Sequence, residues 1–159
     1  MLVTPEIRAS ELGLELVAHP LPIGPLVAVV VDGERAWVSG QPPSKNGTIL
    51  YSGPVGLDGL SVEKGYEAAR LCMLNCLAAL RLELGSLNEI ERIIKVVGFV
   101  QSSLGFAKQS QVINGASELL IDLFGSISGR HARSAIGVSS LPGNMAVEVE
   151  MVVAIRKTN

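Results

Sequence analysis

Residues 147 to 155 fix more of the fold than any other stretch. Val147, Val149, Met151, Val153 and Ile155 fall on one side of an extended backbone, and Glu148 and Glu150 on the other. A period of two fits a strand with one face in a core and excludes an amphipathic helix. Upstream stand Arg130-His131-Ala132-Arg133-Ser134-Ala135-Ile136 and the turn-forming Pro142-Gly143-Asn144. That order predicts that residues 130 to 156 fold back as a hairpin. Such a hairpin brings Arg133, just before its first strand, near Glu148, early in its second. A lone guanidinium and a lone carboxylate at a sheet margin form a candidate site; the plainer reading is a strand-end ion pair, which contributes little. Glu150 shares a face with Glu148 but lies about 7 Å away by strand rise, so a structural or rim role is expected for it.

The rest of the chain supplies partners for that strand. Thr4-Pro5 reads as an N-cap with proline at the first helical position, opening a short helix to about Leu14 or Leu16 with Ile7, Leu12 and Leu16 as apolar contacts. The prolines between His19 and Pro25 make a linker. Residues 1–23 are thus expected as a helical extension and linker, and residues 24–156 as a single domain. Val27 to Val31, a tight Asp32-Gly33-Glu34-Arg35 turn and Ala36 to Gln41 form a hairpin. Gly40 ends it where a side chain could obstruct a close approach. Turns surround one extended piece, Thr48 to Tyr51, and the Gly53, Gly56, Gly59 spacing lacks the Lys-Ser/Thr ending of a phosphate loop.

Ser61 caps a long helix that Gly85 stops, with Tyr66, Ala69, Met73, Cys76, Leu77, Leu80 and Leu84 as its buried stripe. Ser86-Leu87-Asn88-Glu89 is a capping box. Ile93 to Val100, apolar apart from Lys95, reads as a central strand buried on both faces. Ser110 to Phe124 form a second helix, with Val112, Ile113, Ala116, Leu119, Leu120 and Leu123 inward and Gly125 as its stop. The expected class is α+β: a β-β-α-β-α-β-β mixed sheet, two helices packed on one face, and a short N-terminal helix in front.

Two helices cover only one sheet face. With 48% hydrophobic and 18% charged residues and a mean hydropathy of +0.41, the uncovered face is expected to meet another subunit. A net charge of −2, with three Phe, one Trp and two Tyr, gives little footing for nucleic acid. The N-terminus lacks a basic stretch followed by an apolar core, and Leu26 to Val31 is too short to span a bilayer, so a cytoplasmic protein without membrane attachment is expected. Cys72 and Cys76 lack His or acidic residues at metal-ligand spacing and read as buried free thiols; no metal is expected. His131 reads as a solvated or hydrogen-bonded histidine, and Ser39 has no His-Asp partner for a nucleophile.

Val38-Ser39-Gly40-Gln41, Val97-Gly98-Phe99-Val100, Val112-Ile113-Asn114-Gly115-Ala116, Arg133-Ser134-Ala135-Ile136, Leu141-Pro142 and Val147-Glu148-Val149-Glu150 occur here in one order. In that order, and with that spacing from arginine to glutamate, the chain resembles the YjgF/RidA family over roughly residues 24 to 156, in its longer, chorismate-mutase-like branch named for endoribonuclease activity. The resemblance implies a homotrimer with clefts between subunits. It also implies hydrolysis of reactive enamines and imines, such as 2-aminoacrylate, to 2-oxo acids and ammonia, without metal or cofactor. Arg133 would bind the substrate carboxylate, Glu148 would position the attacking water, and Ser39, Gly40, Asn114 and Ala135 would shape the pocket. Where many members read Gly-Pro-Tyr this chain has Gly24-Pro25-Leu26, which makes that pocket wall apolar. A non-catalytic binder of small carboxylates and a ribonuclease remain the alternative readings.

Overall fold

The computed structural model describes residues 4–17 and 24–156. Strands β1 (Val29–Asp32) and β2 (Arg35–Gln41) pair antiparallel around Gly33-Glu34, with Gly33 at φ +59° as a two-residue hairpin turn requires. Two short strands, β3 (Ser44–Lys45) and β4 (Thr48–Ile49), form a separate small sheet, so the extended piece expected over Thr48 to Tyr51 is shorter and paired locally.

Helix α2 (Val62–Leu84) begins where the Ser61 side chain accepts the Lys64 amide and ends at Gly85, φ +82°. Its expected stripe is buried from Ala69 to Leu80, joined by Ala68 and Cys72, while Tyr66 and Leu84 stand half-buried at the ends. A 3-10 turn, Leu87–Glu89, capped by Ser86, leads into β5 (Ile90–Gln101). Helix α3 (Gln109–Ser128) breaks at Gly125, where φ 74° and ψ 176° leave the helical region at the expected stop, and one further turn follows. Strands β6 (Ala132–Val138) and β7 (Val147–Ile155) complete the chain.

The α+β class and the two helices on one face are as expected, but the C-terminal hairpin is not. The sheet order is β1-β2-β7-β5-β6, with β7 antiparallel to β5 and β2, and β6 parallel to β5 on its far side. β5, α3 and β6 form a strand-helix-strand unit, which places the two strands side by side and parallel. β7 therefore takes the other flank of β5. The turn residues at Pro142–Asn144, with Gly143 and Asn144 both at positive φ, carry the chain across the end of β5 instead of folding it back.

Ile93, Val96, Gly98 and Val100 of β5 are buried beneath the helices, whereas Val97 and Phe99 are half-buried on the other face. The strand is thus covered on one face within one chain, not on both. Val30, Trp37 and Ile136 stand exposed on that open face, Trp37 at 50%. This follows from alternation: Trp37 pairs with Val152, and Ile136 and Glu148 both flank Phe99.

Helix α1 (Pro5–Glu11) is capped by Thr4 as expected but ends earlier. Ala9 is its buried residue; Leu14 and Leu16 pack on the core beyond the helix, and Ile7 and Leu12 point outward. Glu6 holds it in place, accepting from the Leu87 amide at 2.9 Å and Arg81 Nε at 3.1 Å. The part of the expected linker from His19 to Ile23 lies outside the described residues. No described helix is long and apolar enough to cross a membrane.

Candidate functional site

Between Val38 and Gln41, β2 loses register with β7: Val38 faces Met151 and Gln41 faces Val149, so Ser39 and Gly40 together oppose Glu150. Such a bulge bends a strand and re-aims what lies across it. Here it lays the backbone of Gly40 against the Glu148 side chain. A Cβ on residue 40 would overlap Glu148 Oε1 and lie 2.7 Å from Cδ. Gly40 therefore meets the close approach that its position suggested. Ser39 turns the other way, its hydroxyl donating to Val27 O at 2.6 Å.

Glu148 is half-buried and has no hydrogen bond or ion pair among the described residues. Burial raises its pKa above the ordinary carboxylate value, and the charge of Glu150 adds to the rise. Cys72 and Cys76 are free and buried, and their thiols donate to Val147 O (3.4 Å) and Val149 O (3.3 Å), the carbonyls on either side of Glu148. Burial pushes both thiols up, so they stay protonated and act as β7 anchors.

Arg133 starts β6 and points the other way, toward α3. Its Nη1 donates to Asn114 Oδ1 at 2.8 Å and to Ser117 Oγ at 3.1 Å, and Nη2 reaches Ser110 O at 3.4 Å. All three partners are neutral oxygens. Nε carries no hydrogen bond among the described residues, so the edge of the fork formed by Nε and Nη2 is largely unused. That edge presents two parallel N–H groups with the spacing of a carboxylate. Ser110, Asn114 and Ser117 stand at helical spacing on one face of α3, a polar stripe beside the apolar one. Ser117 and His131 were not among the expected site residues; the polar stripe is the signal that points to Ser117. His131 is hydrogen-bonded, to Ser117 Oγ (3.0 Å) and Gly129 O (2.7 Å).

Arg133 and Glu148 do not meet within one chain. Arg133 pairs with Val96, which is buried under the helices, while Glu148 pairs with Phe99 on the open face. They lie on opposite faces, two strands and three residue rows apart, about 10 Å in each direction by sheet geometry. The expected site residues thus fall into two groups. Arg133 and Asn114 are bonded to each other beneath α3, and Ala135, two residues from Arg133 on that face, packs on the core. Glu148 lies against Gly40 on the open face; Ser39, Gly40 and Leu26 line a cavity of about 660 Å³ on the α2 side, with Ile49, Asn75 and Met145 among its other walls, and Glu148 is not one of them. Leu26, 52% exposed, gives that cavity an apolar mouth.

Residues 6–154 match the family described as "YjgF/chorismate mutase-like, putative endoribonuclease". Protein TCP17 of Trypanosoma cruzi is 40% identical over 146 residues, covering 92% of this chain and 91% of its own. The crystal structure of Atu1372 from Agrobacterium tumefaciens, a protein of unknown function, superposes with a TM-score of 0.85 at 40% identity, covering 97% of this chain and 94% of that one. Escherichia coli TdcF, crystallised with bound serine, superposes with a TM-score of 0.61 at 26% identity, covering 90% of this chain and 96% of its own. By sequence and by fold, the chain belongs to the YjgF/chorismate mutase-like family.

Proposed function

We propose that this protein hydrolyses small enamine and imine acids of the 2-aminoacrylate type to 2-oxo acids and ammonia, in clefts between the subunits of a homotrimer. The observation that carries this reading is the open Nε–Nη2 edge of Arg133, whose other side is held by Asn114 and Ser117. A fork so held anchors a carboxylate in one orientation. The serine bound by TdcF is a small acid of related shape, which supports the same substrate class here.

In the reaction, an enamine first takes a proton from solvent on its terminal carbon to become the iminium; water then adds through its oxygen to the iminium carbon, and its proton passes to the Glu148 carboxylate. Glu148 returns that proton to the nitrogen of the resulting carbinolamine, the C–N bond breaks and ammonia leaves, and the hydroxyl proton passes to the Glu148 carboxylate as the 2-oxo acid forms. An iminium carbon is electrophilic already, so orienting the water and accepting its proton is sufficient machinery. Because Arg133 and Glu148 lie on opposite faces of one chain, a second subunit must supply one of them. The open sheet face, with Trp37, Phe99 and Ile136, supports that assembly. Leu26 and the cavity beside Ser39 and Gly40 would set the size of the substrate side chain.

The test follows clearance of 2-aminoacrylate generated in situ. Wild type is expected to speed its conversion to pyruvate, and Arg133→Ala to lose the effect. Equal rates for wild type, Arg133→Ala and buffer would sink the reading, and binding of 2-oxobutanoate without turnover would make the protein a carboxylate sensor.

A further inference from the structure

We propose that Ser117 and His131 are positioning residues, a hydrogen-bond relay that fixes the Arg133 guanidinium with its Nε–Nη2 edge turned outward for a carboxylate. The proposal rests on the reading of Arg133 as the carboxylate anchor and extends the site to two residues outside it.

The direction of every bond in the relay follows from donor and acceptor chemistry. His131 Nδ1 lies 2.7 Å from Gly129 O, and a carbonyl only accepts, so Nδ1 carries the proton. In the neutral ring Nε2 is then bare and accepts. Ser117 Oγ lies 3.0 Å from it and donates its one proton there. The hydroxyl oxygen, its proton committed, turns a lone pair to Arg133 Nη1 at 3.1 Å. The relay thus runs from Arg133 to Ser117 to His131 to the backbone at the end of α3, each group donating to the next. The neutral ring is favoured by its surroundings. Burial lowers the His131 pKa and the Arg133 charge lowers it further, outweighing the Gly129 bond. Arg92 and Arg130 border the same surface depression and are cations too.

The arrangement matters because a free arginine side chain carries a large rotamer entropy. A guanidinium already held by Asn114 and Ser117 has given up that freedom before the substrate arrives, which strengthens binding. Groups that orient a ligand-binding side chain in this way act without touching the ligand.

The test is calorimetric binding of 2-oxobutanoate to the intact protein, with the melting temperature of each variant as a folding control. Ser117→Ala and His131→Phe are each expected to weaken binding about tenfold, the worth of one hydrogen bond to a charged group. Ser117→Thr, which keeps the hydroxyl, and His131→Gln, whose amide oxygen can accept from it, are expected to recover most of the affinity. A space-filling role would give the opposite order, with Phe tolerated and Gln not, and that order overturns the relay. If Arg133→Ala abolishes binding while Ser117→Ala and His131→Phe bind as wild type, the relay fails and the anchor stands. If wild type does not bind, or Arg133→Ala binds equally well, the anchor fails and the relay with it.

Discussion

The Glu148 carboxylate occupies the space that a Cβ on residue 40 would need, so Gly40 and Glu148 are fitted to each other across the β2 bulge. Gly40→Ala is therefore expected to push the carboxylate aside. The obstructing atoms are the far end of a flexible side chain, which can swing away without moving the backbone. Stability should change by less than about 1 kcal/mol. If Glu148 is the base of the proposed reaction, turnover should fall about 100-fold, the scale of a catalytic group displaced by an ångström. Calorimetry and steady-state kinetics on one preparation separate the two: a variant that melts early and keeps its kcat would contradict this role for Gly40.

Burial, and then the charge of Glu150, raise the pKa of Glu148, which has two consequences. If Glu148 is the base of the proposed reaction it works ionised, so kcat/KM should fall as pH drops through the raised value. Glu150→Gln removes the like charge and should move that acid limb to lower pH. The sign for stability is reversed. A carboxyl that holds its proton more tightly when folded stabilises the fold at low pH, and that contribution is lost as pH rises through the folded value. Glu148→Gln should thus raise the melting temperature at pH 7 and, if Glu148 is the base, abolish turnover. The gain should vanish below about pH 4, where both states are protonated. Melting curves across that range would expose a gain that persists at low pH, which burial of the carboxylate cannot explain.

If one subunit supplies Arg133 and its neighbour Glu148, two inactive variants should rescue each other. Arg133→Ala keeps Glu148, and Glu148→Gln keeps Arg133. Refolded together in equal amounts as a trimer, about a quarter of the clefts would pair an intact arginine with an intact glutamate by random assembly. Activity should reappear at about that fraction of wild type. Mixtures that stay inactive, although mass spectrometry shows mixed oligomers, would place the two residues in separate functions.

The features readable from the sequence are those whose chemistry is local. Ser61 and Gly85 bound α2 because a hydroxyl satisfies an early amide and glycine accepts positive φ; Gly33 and Gly125 mark a turn and a break for related reasons. The partner of β7 was not local. Pro142-Gly143-Asn144 is equally good chemistry for a hairpin and for a crossing over the end of β5, and only the strand-helix-strand unit decides between them. The same limit applies to the site. Arg133 and Glu148 stand out as residues, yet their opposite faces emerge only when each is set against its β5 partner, Val96 or Phe99. Ser117 shows in the sequence only as part of the polar stripe on α3, and His131 stands out only once the hydrogen bonds join it to Ser117 and Gly129.

Gly115 tests how rigidly α3 must sit for the arginine to be held. It lies on α3 between Asn114 and Ser117, and a Cβ there would overlap the backbone carbonyl of Tyr66 on α2 and lie 3.2 Å from Arg70 N. Unlike the obstruction at Gly40, these are backbone atoms of a packed helix, so no side chain can yield. Gly115→Ala must lift α3 from α2, at a cost of about 1–3 kcal/mol for overpacking. For a chain of this length that lowers the melting temperature by about 2–12 °C. The same displacement carries Asn114 and Ser117 away from Arg133, so affinity for 2-oxobutanoate should fall in the folded fraction too. Urea melts paired with calorimetry well below the transition distinguish the effects. Lost stability with wild-type affinity would mean that Arg133 follows the helix, and that its anchoring does not depend on where α3 rests.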